Sequence, residues 1–293
     1  MRTLRLTLYG LAAAIVAVGG LAACSPLTAI NALSPGRASD STLGLAYGSG
    51  PRFKLDVYRP AKVTSASPVV VFFYGGNWAA GERGDYAFVG RALAARGIVA
   101  VIPDYRLYPE VRYPDFLDDS AQAVAWTASN IARYGGDPNR LFLMGHSAGA
   151  YNAAMLALDA RYLGQQGMAI RSLAGWIGLA GPYDFMPIEN KIARPVFHFP
   201  HTPRQSQPIN HTVGAVLPAL LIAASTDKLV NPVRNTGGLA AKLRAGGVPV
   251  EEVYYDGISH TTLVASISAP LRSLAPTLDA IDAFVKGTST APR

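Results

Sequence analysis

The chain has 293 residues, of which 50% are hydrophobic and 15% are charged, so it can bury a sizeable core and is not intrinsically disordered. Its formal net charge is +7. The basic residues are scattered and do not alternate with aromatic residues, so nucleic-acid binding is not expected. A single cysteine, Cys24, excludes an internal disulfide and a cysteine cage for a metal ion.

The N-terminal residues have the pattern of an export signal. Arg2 and Arg5 precede an uncharged stretch from Leu6 to Ala23, and small residues precede Cys24. A basic start, an apolar segment and small residues before a cleavage site are typical of secretory signals. An uncleaved membrane anchor is the alternative, because eighteen apolar residues can just span a bilayer.

The end of this segment, Leu21-Ala22-Ala23-Cys24, resembles the lipobox of bacterial lipoproteins. That resemblance implies that residues 1–23 are a signal peptide and that Cys24 is lipidated and becomes the first residue of an exported, membrane-anchored protein. In a Gram-negative cell, the following Ser25 is compatible with the periplasmic side of the outer membrane. Residues 24–42 are rich in Ser, Pro, Ala and Gly, and we expect them to form a lipidated tether.

Residues 43–293 alternate between strand and helix patterns. The segments Leu43–Tyr47 and Phe53–Tyr58 flank a Gly-Ser-Gly-Pro turn and predict a hairpin. Later strands are predicted as apolar runs at Pro68–Tyr74, Ile98–Ile102, Leu141–His146, Leu173–Ala180, Ala219–Ala224 and Val248–Tyr255. Helices are predicted between and after them at Asp85–Gly97, Phe116–Tyr134, Ala148–Leu158, Val233–Ala245 and Pro270–Val285. This alternation indicates one α/β domain with a mostly parallel sheet and helices on both faces, interrupted by a Pro-rich, cap-like insertion at 185–218.

Ser147 is the candidate nucleophile. Residues Gly145–Gly149 read Gly-His-Ser-Ala-Gly, directly after an apolar strand and directly before a helix, which is the context that the G-x-S-x-G motif requires. The two glycines allow the sharp turn that exposes the serine. Neighbouring side chains near a strand end point to opposite faces, so His146 is interpreted as a packed histidine and not as the base.

A nucleophilic serine needs an imidazole base and a carboxylate that orients the imidazole. His260 is the candidate base, because it follows a late strand in a short loop, whereas His198, His201 and His211 lie in the Pro-rich insertion. Asp227 is the favoured acid, since it follows a buried strand only one helix and one strand before His260. The alternative is Asp184, which follows the preceding strand.

The tetrahedral intermediate also needs backbone N–H donors for its negative oxygen. Ala148, which follows the nucleophile, is one predicted donor, and the glycine-containing loop Tyr74–Trp78 is expected to supply the other. Together with Pro103–Glu110 and Gly145–Gly149, this loop resembles those of the α/β-hydrolase superfamily, in particular bacterial feruloyl-esterase-like and hormone-sensitive-lipase-like carboxylesterases. The resemblance implies the triad Ser147, Asp227 and His260, with Gly76, Asn77 and Ala148 around the oxyanion.

The sequence therefore predicts a serine hydrolase that cleaves small carboxylic esters, without a cofactor or a metal ion. Trp78, Tyr151, Phe185, Phe197 and Phe199 are expected to wall the site and to favour short acyl or aryl groups. An arylformamidase-like amidase and a non-catalytic lipoprotein binding module are the alternatives. The sequence leaves the oligomeric state open.

Overall fold

The computed structural model describes residues 26–34, 36, 39–62 and 66–287. The predicted signal peptide and Cys24 lie outside these residues. Within the described ranges, no helix is both long enough and apolar enough to cross a membrane.

The described strands form one eight-stranded sheet in the order β1-β2-β4-β3-β5-β6-β7-β8. The first two strands and β4 pair in antiparallel fashion, and every other pairing in this sheet is parallel. The mostly parallel α/β fold predicted from the sequence is thereby confirmed. The strands are β1 Ser39–Ala46, β2 Lys54–Pro60, β3 Ser67–Phe73, β4 Val99–Pro103, β5 Gly136–His146, β6 Gly175–Leu179, β7 Ala219–Ala224 and β8 Val250–Tyr255.

The helices that accompany the sheet are α1 Pro26–Leu33, α2 Ala87–Ala94, α3 Asp115–Asn130, α4 Ala148–Leu158, α5 Ala160–Gln165, α6 Ala193–Val196, α7 Gly238–Ala245, α8 His260–Ala265 and α9 Thr277–Lys286. The predicted helix Val233–Ala245 is continuous: a π-helical turn, Val233–Gly237, leads directly into α7. The predicted helix Pro270–Val285 is divided into a 3-10 turn, Ala269–Leu274, and α9. Pro276 lacks an N–H donor, which explains why these two do not join into one helix.

Part of the predicted tether over 24–42 lies within the described residues, where it forms helix α1 and the start of β1. Helix α1 is held on the domain by Asn31, whose side-chain amide donates to the carbonyls of Gly84 and Asp85 and whose oxygen accepts from the amide of Phe88 at 2.8 Å. The Arg91 side chain also donates to the Asn31 carbonyl. Residues 39–42 already belong to β1.

The centre of the sheet is the core of the domain. All residues of β3, β4, β6 and β7 are buried, as expected for parallel strands that are covered on both faces. Because the carboxyl ends of parallel strands meet at one edge of a sheet, the loops after β3, β5, β7 and β8 come together there.

The segment that follows β4 is held in place by two of its charged residues, Asp104 and Arg106. Asp104 is buried and accepts from the hydroxyl of Tyr74 at 3.0 Å and from the amide of Arg83 at 2.8 Å. Arg106 binds the buried carboxylate of Asp119 with two side-chain nitrogens, at 2.6 and 2.9 Å. These contacts fix the chain directly after β4 and next to the loop that follows β3.

Candidate active site

Ser147 lies on a strained turn between β5 and α4. Its backbone angles are φ 54° and ψ −121°, a conformation that non-glycine residues rarely adopt. A Cβ atom on Gly145 would lie 2.1 Å from the carbonyl oxygen of Gly149, and one on Gly149 would lie 2.0 Å from that of Phe73. Only glycine therefore fits at either position, which lets the start of α4 pack closely on β3 behind the serine.

His260 and Asp227 form a buried pair. The Nδ1 atom of His260 lies 2.7 Å from Oδ2 of Asp227. The other carboxylate oxygen of Asp227 accepts from the amides of Leu229 at 2.8 Å and Val230 at 3.1 Å. Burial raises the pKa of Asp227, but the hydrogen bonds from His260 and from these amides outweigh it and hold the pKa below its usual range. An ionised Asp227 keeps the proton of His260 on Nδ1 and leaves Nε2 as the acceptor.

Ser147 and His260 both line one cavity of about 660 Å³ at the carboxyl edge of the sheet. The structure thus brings all three predicted triad residues to one place. Among the hydrogen bonds of the described residues, none joins the Ser147 hydroxyl to His260. Catalytic hydrogen bonds of substrate-free hydrolases are often long and tighten only when substrate binds.

His146 is packed beneath His260, as the sequence predicts. Its Nε2 atom lies 3.0 Å from the His260 carbonyl oxygen, which can only accept, so Nε2 carries the proton. Its Nδ1 atom is buried without a hydrogen-bond partner in the described part of the chain. Burial, followed by the neighbouring His260, lowers the pKa of His146 to about 3. His146 is therefore neutral at physiological pH and supports the backbone that carries His260.

The loop after β3 meets the nucleophile. A Cβ atom on Gly75 would lie 3.0 Å from the Cβ of Ser147, so the loop and the serine are in close contact. Gly76 has φ 134° and Asn77 has φ 53°. The amides of these two residues donate no hydrogen bond to any described residue. The amide of Ala148, as the first residue of α4, has no acceptor within its own helix. Three N–H donors are thus available beside Ser147.

Two of the five aromatic residues that were expected to wall the site do so. Trp78 and Phe185 line the cavity and stack with ring centroids 6.1 Å apart. Tyr151 and Phe197 are completely buried behind Trp78, against which both pack edge-on. Phe199 is exposed and lies under the Arg194 guanidinium. The expectation is wrong for these three, because side-chain direction in an irregular segment depends on the final packing.

Asp184, the alternative acid, is hydrogen-bonded to Arg234, whereas His260 is paired with Asp227. The Asp184 carboxylate accepts from the Arg234 side chain at 3.0 and 3.1 Å, and both residues line the outer part of the cavity. The amides of Tyr183 and Asp184 donate to the side-chain oxygen of buried Asn235 at 2.7 and 2.8 Å. These contacts position the loop after β6.

Sequence reasoning missed two parts of the cavity wall. Leu27 and Ile30 of α1 line it, three residues apart on one helix face. Across the mouth, the Asn190 amide in the segment between β6 and β7 donates to the side-chain oxygen of Asn77 at 2.8 Å. The apolar spacing in α1 was a signal that could have been found, whereas the Asn190 contact joins residues 113 positions apart and has no sequence signature.

A serine on a strand-to-helix turn, above a mostly parallel sheet and beside an aspartate-paired histidine, defines this protein as an α/β-hydrolase. Residues 55–243 match the model of the BD-FAE family. The chain belongs to that family.

Curated relatives carry esterase names. A probable isoprenylcysteine α-carbonyl methylesterase of Oryza sativa subsp. japonica is 31% identical over 250 residues, which are 78% of this chain and 58% of the relative. Esterase LipC of Mycobacterium tuberculosis is 31% identical over 220 residues, which are 68% of this chain and 54% of the relative. The chain thus spans little more than half the length of these proteins.

Solved esterase structures share the fold. A thermostable esterase from Pseudomonas putida ECU1011 is 27% identical with a TM-score of 0.66, covering 88% of this chain and 85% of that one. A hyperthermophilic esterase from Pyrobaculum calidifontis is 24% identical with a TM-score of 0.71, covering 90% of both chains. At this identity the similarity shows the fold alone.

Proposed function

We propose that this protein is a serine carboxylesterase. The observation that carries the proposal is the Asp227–His260 pair, which faces the same cavity as the strained Ser147 and three available amides. The loop Gly75–Trp78 and the motif around Ser147 also favour the feruloyl-esterase-like and hormone-sensitive-lipase-like branch. The names of the curated relatives agree with ester hydrolysis.

The proposed reaction proceeds through an acyl-enzyme. The Ser147 hydroxyl oxygen attacks the ester carbonyl carbon, and its proton passes to Nε2 of His260. Asp227 stabilises the imidazolium through Nδ1. Amides among those of Gly76, Asn77 and Ala148 bind the negative oxygen. The C–O bond to the alcohol then breaks as His260 returns the proton to the leaving alcohol. His260 then deprotonates a water molecule, whose oxygen attacks the acyl carbon. The bond between that carbon and Oγ of Ser147 breaks, the acid leaves, and His260 returns the proton to Ser147.

We infer that the substrates are esters with a short acyl or an aryl group. Trp78 and Phe185 offer flat apolar surface, and the buried Tyr151 and Phe197 close the space behind Trp78. Residues 185–218 would act as a short cap over the cavity, since Phe185, Ile188 and Asn190 line it.

The test is a series of p-nitrophenyl esters from acetate to palmitate. We expect kcat/KM to be highest for acetate or butyrate and to show no jump when the substrate forms micelles. A preference for palmitate with such a jump would contradict the short-chain proposal and indicate a lipase. Loss of turnover in Ser147→Ala and His260→Ala, by several orders of magnitude, separates the proposed chemistry from a binding function.

We also propose that the protein is exported and anchored by a lipid on Cys24, on the periplasmic side of the outer membrane if the cell is Gram-negative. The support is the Leu21-Ala22-Ala23-Cys24 sequence after a basic, then apolar, segment. Mass spectrometry of the membrane fraction should find a lipidated N-terminal Cys24. An unmodified Cys24 in that fraction would contradict the anchoring.

A further inference from the structure

Large aliphatic side chains are exposed at or next to residues that line the catalytic cavity. We call Leu33, Ile192, Leu229 and Val233 the rim; each of these residues is between 54% and 76% exposed. Single exposed apolar side chains are common on proteins, whereas several of them grouped beside a cavity are typical of a binding surface.

The rim residues are tied to the cavity by their neighbours. Leu229 lines the cavity itself. Ile192 lies between the lining residues Asn190 and Ala193, and Val233 directly precedes the lining residue Arg234. Leu33 follows Ile30, a lining residue, by three positions on α1. Residues three apart on a helix are neighbours on its surface, so α1 extends the rim to one side of the mouth.

Basic side chains accompany the rim. Exposed Lys191 precedes Ile192, and exposed Lys228 precedes Leu229. The third basic neighbour, Arg234, is paired with Asp184. Glu189 also faces the cavity, so the two lysines leave a small positive excess around the mouth. Apolar residues flanked by lysines suit a surface that is apolar inside and negatively charged outside, which is the chemistry of a bilayer with anionic phospholipids.

Chain length places the proposed lipid at the same surface. Leu27 of α1 lines the cavity and is three residues after Cys24. Three fully extended residues span at most about 11 Å, so an acyl group on Cys24 would enter a bilayer no farther than that from the cavity wall. Asn31 and Arg91 hold α1 on the domain, which limits how far the mouth can turn away from the bilayer.

We propose that the rim docks on the surface of a bilayer that contains anionic phospholipid, so that the catalytic cavity opens at the headgroup layer. The inference rests on the proposed anchoring at Cys24. It assigns the anchor a second role, since the lipid orients the active site as well as retaining the enzyme at the membrane.

The test measures how deeply the rim residues enter a membrane. Full-length lipidated protein is reconstituted into vesicles of phosphatidylethanolamine and phosphatidylglycerol, with cysteine introduced as Ile192→Cys or Val233→Cys. A lipidated Cys24 has no free thiol, so an environment-sensitive NBD label reacts only at the introduced residue. The matched control is Val213→Cys, because Val213 is 96% exposed, lies in the segment before β7 and does not line the cavity.

Doxyl-labelled lipids should quench the label at 192 and 233 several-fold more than at 213, and Lys191→Glu with Lys228→Glu should reduce that difference. Equal quenching at all three positions would overturn the proposal. A label at 192 or 233 that is shielded from water without vesicles, to an extent that depends on protein concentration, would also overturn the proposal. That result would indicate that the rim contacts a second copy of the chain. Labelling of the protein without an introduced cysteine would show a free Cys24 and overturn the anchoring together with this inference. Failure of the hydrolase proposal is distinguished separately, by absence of fluorophosphonate labelling at Ser147.

Discussion

Acidification from pH 7 to pH 5 should destabilise the fold through His146. The folded protein holds this imidazole neutral, because it is buried and only its Nε2–H has a partner, the His260 carbonyl at 3.0 Å. Burial, and then the adjacent His260, lower the pKa of His146 from 6.5 to about 3. In the unfolded chain the same side chain takes up a proton near pH 6.5.

The sign and size of the effect follow from these two values. Since folding lowers the pKa of a base, the stabilisation of the neutral form is complete above pH 6.5 and is lost as the pH falls from 6.5 toward 3. One pKa unit corresponds to about 1.36 kcal/mol. At pH 5, about 1.5 units below the unfolded pKa, the free energy of unfolding should therefore be lower by roughly 2 kcal/mol.

Urea unfolding of the wild type and of His146→Gln at pH 7 and pH 5 measures this contribution. Glutamine can donate to the His260 carbonyl but does not titrate, and the other ionisable groups are the same in both proteins. Between the two pH values, the wild type should lose roughly 2 kcal/mol more stability than the variant. An equal loss in the two proteins would refute the assignment of a neutral, buried His146.

The other predictions concern catalysis. Asp227→Asn should lower kcat by about 10⁴, by analogy with the same substitution in a serine protease, because the wrong His260 tautomer is then favoured. In contrast, Asp184→Asn should keep most activity, since that carboxylate binds Arg234; the reverse ranking in steady-state assays would contradict the choice of acid. Gly76→Ala should cost about 10²–10³ in kcat, because its Cβ would lie 2.1 Å from the Ala80 oxygen and displace the oxyanion loop. The control is Gly164→Ala in α5, where a Cβ meets no atom within 4 Å; equal losses would exclude a specific role for the loop.

Local sequence patterns predicted the helices and strands whose own residues determine their secondary structure. Helix α4 spans the predicted Ala148–Leu158, and β7 spans the predicted Ala219–Ala224. A continuous apolar run indicates a buried strand, and glycines on both sides of Ser147 indicate the turn. The chain order of serine, acid and histidine left both Asp184 and Asp227 possible. Asp227 was favoured because only one helix and one strand separate it from His260, and Asp227 is the residue that pairs with His260.

Contacts between distant segments were not predictable in this way. The Asn77–Asn190 hydrogen bond and the attachment of α1 through Asn31 join residues far apart in the chain. Tyr151 and Phe197 were expected at the cavity, but both are buried behind Trp78, whose indole N–H donates to buried Asn152 at 3.0 Å. Side-chain orientation of this kind is set by close packing across several elements, and hydrophobic pattern alone does not encode it.

The central claim is that Ser147 forms a covalent acyl-enzyme. Rapid acid quenching of the protein with p-nitrophenyl acetate, followed by peptide mass spectrometry, tests it directly. We predict one acetyl group on the peptide that contains Ser147, formed at the rate of the p-nitrophenol burst and absent in Ser147→Ala. Turnover by folded wild type without acylation of Ser147, or with the acetyl group on another residue, would contradict the account.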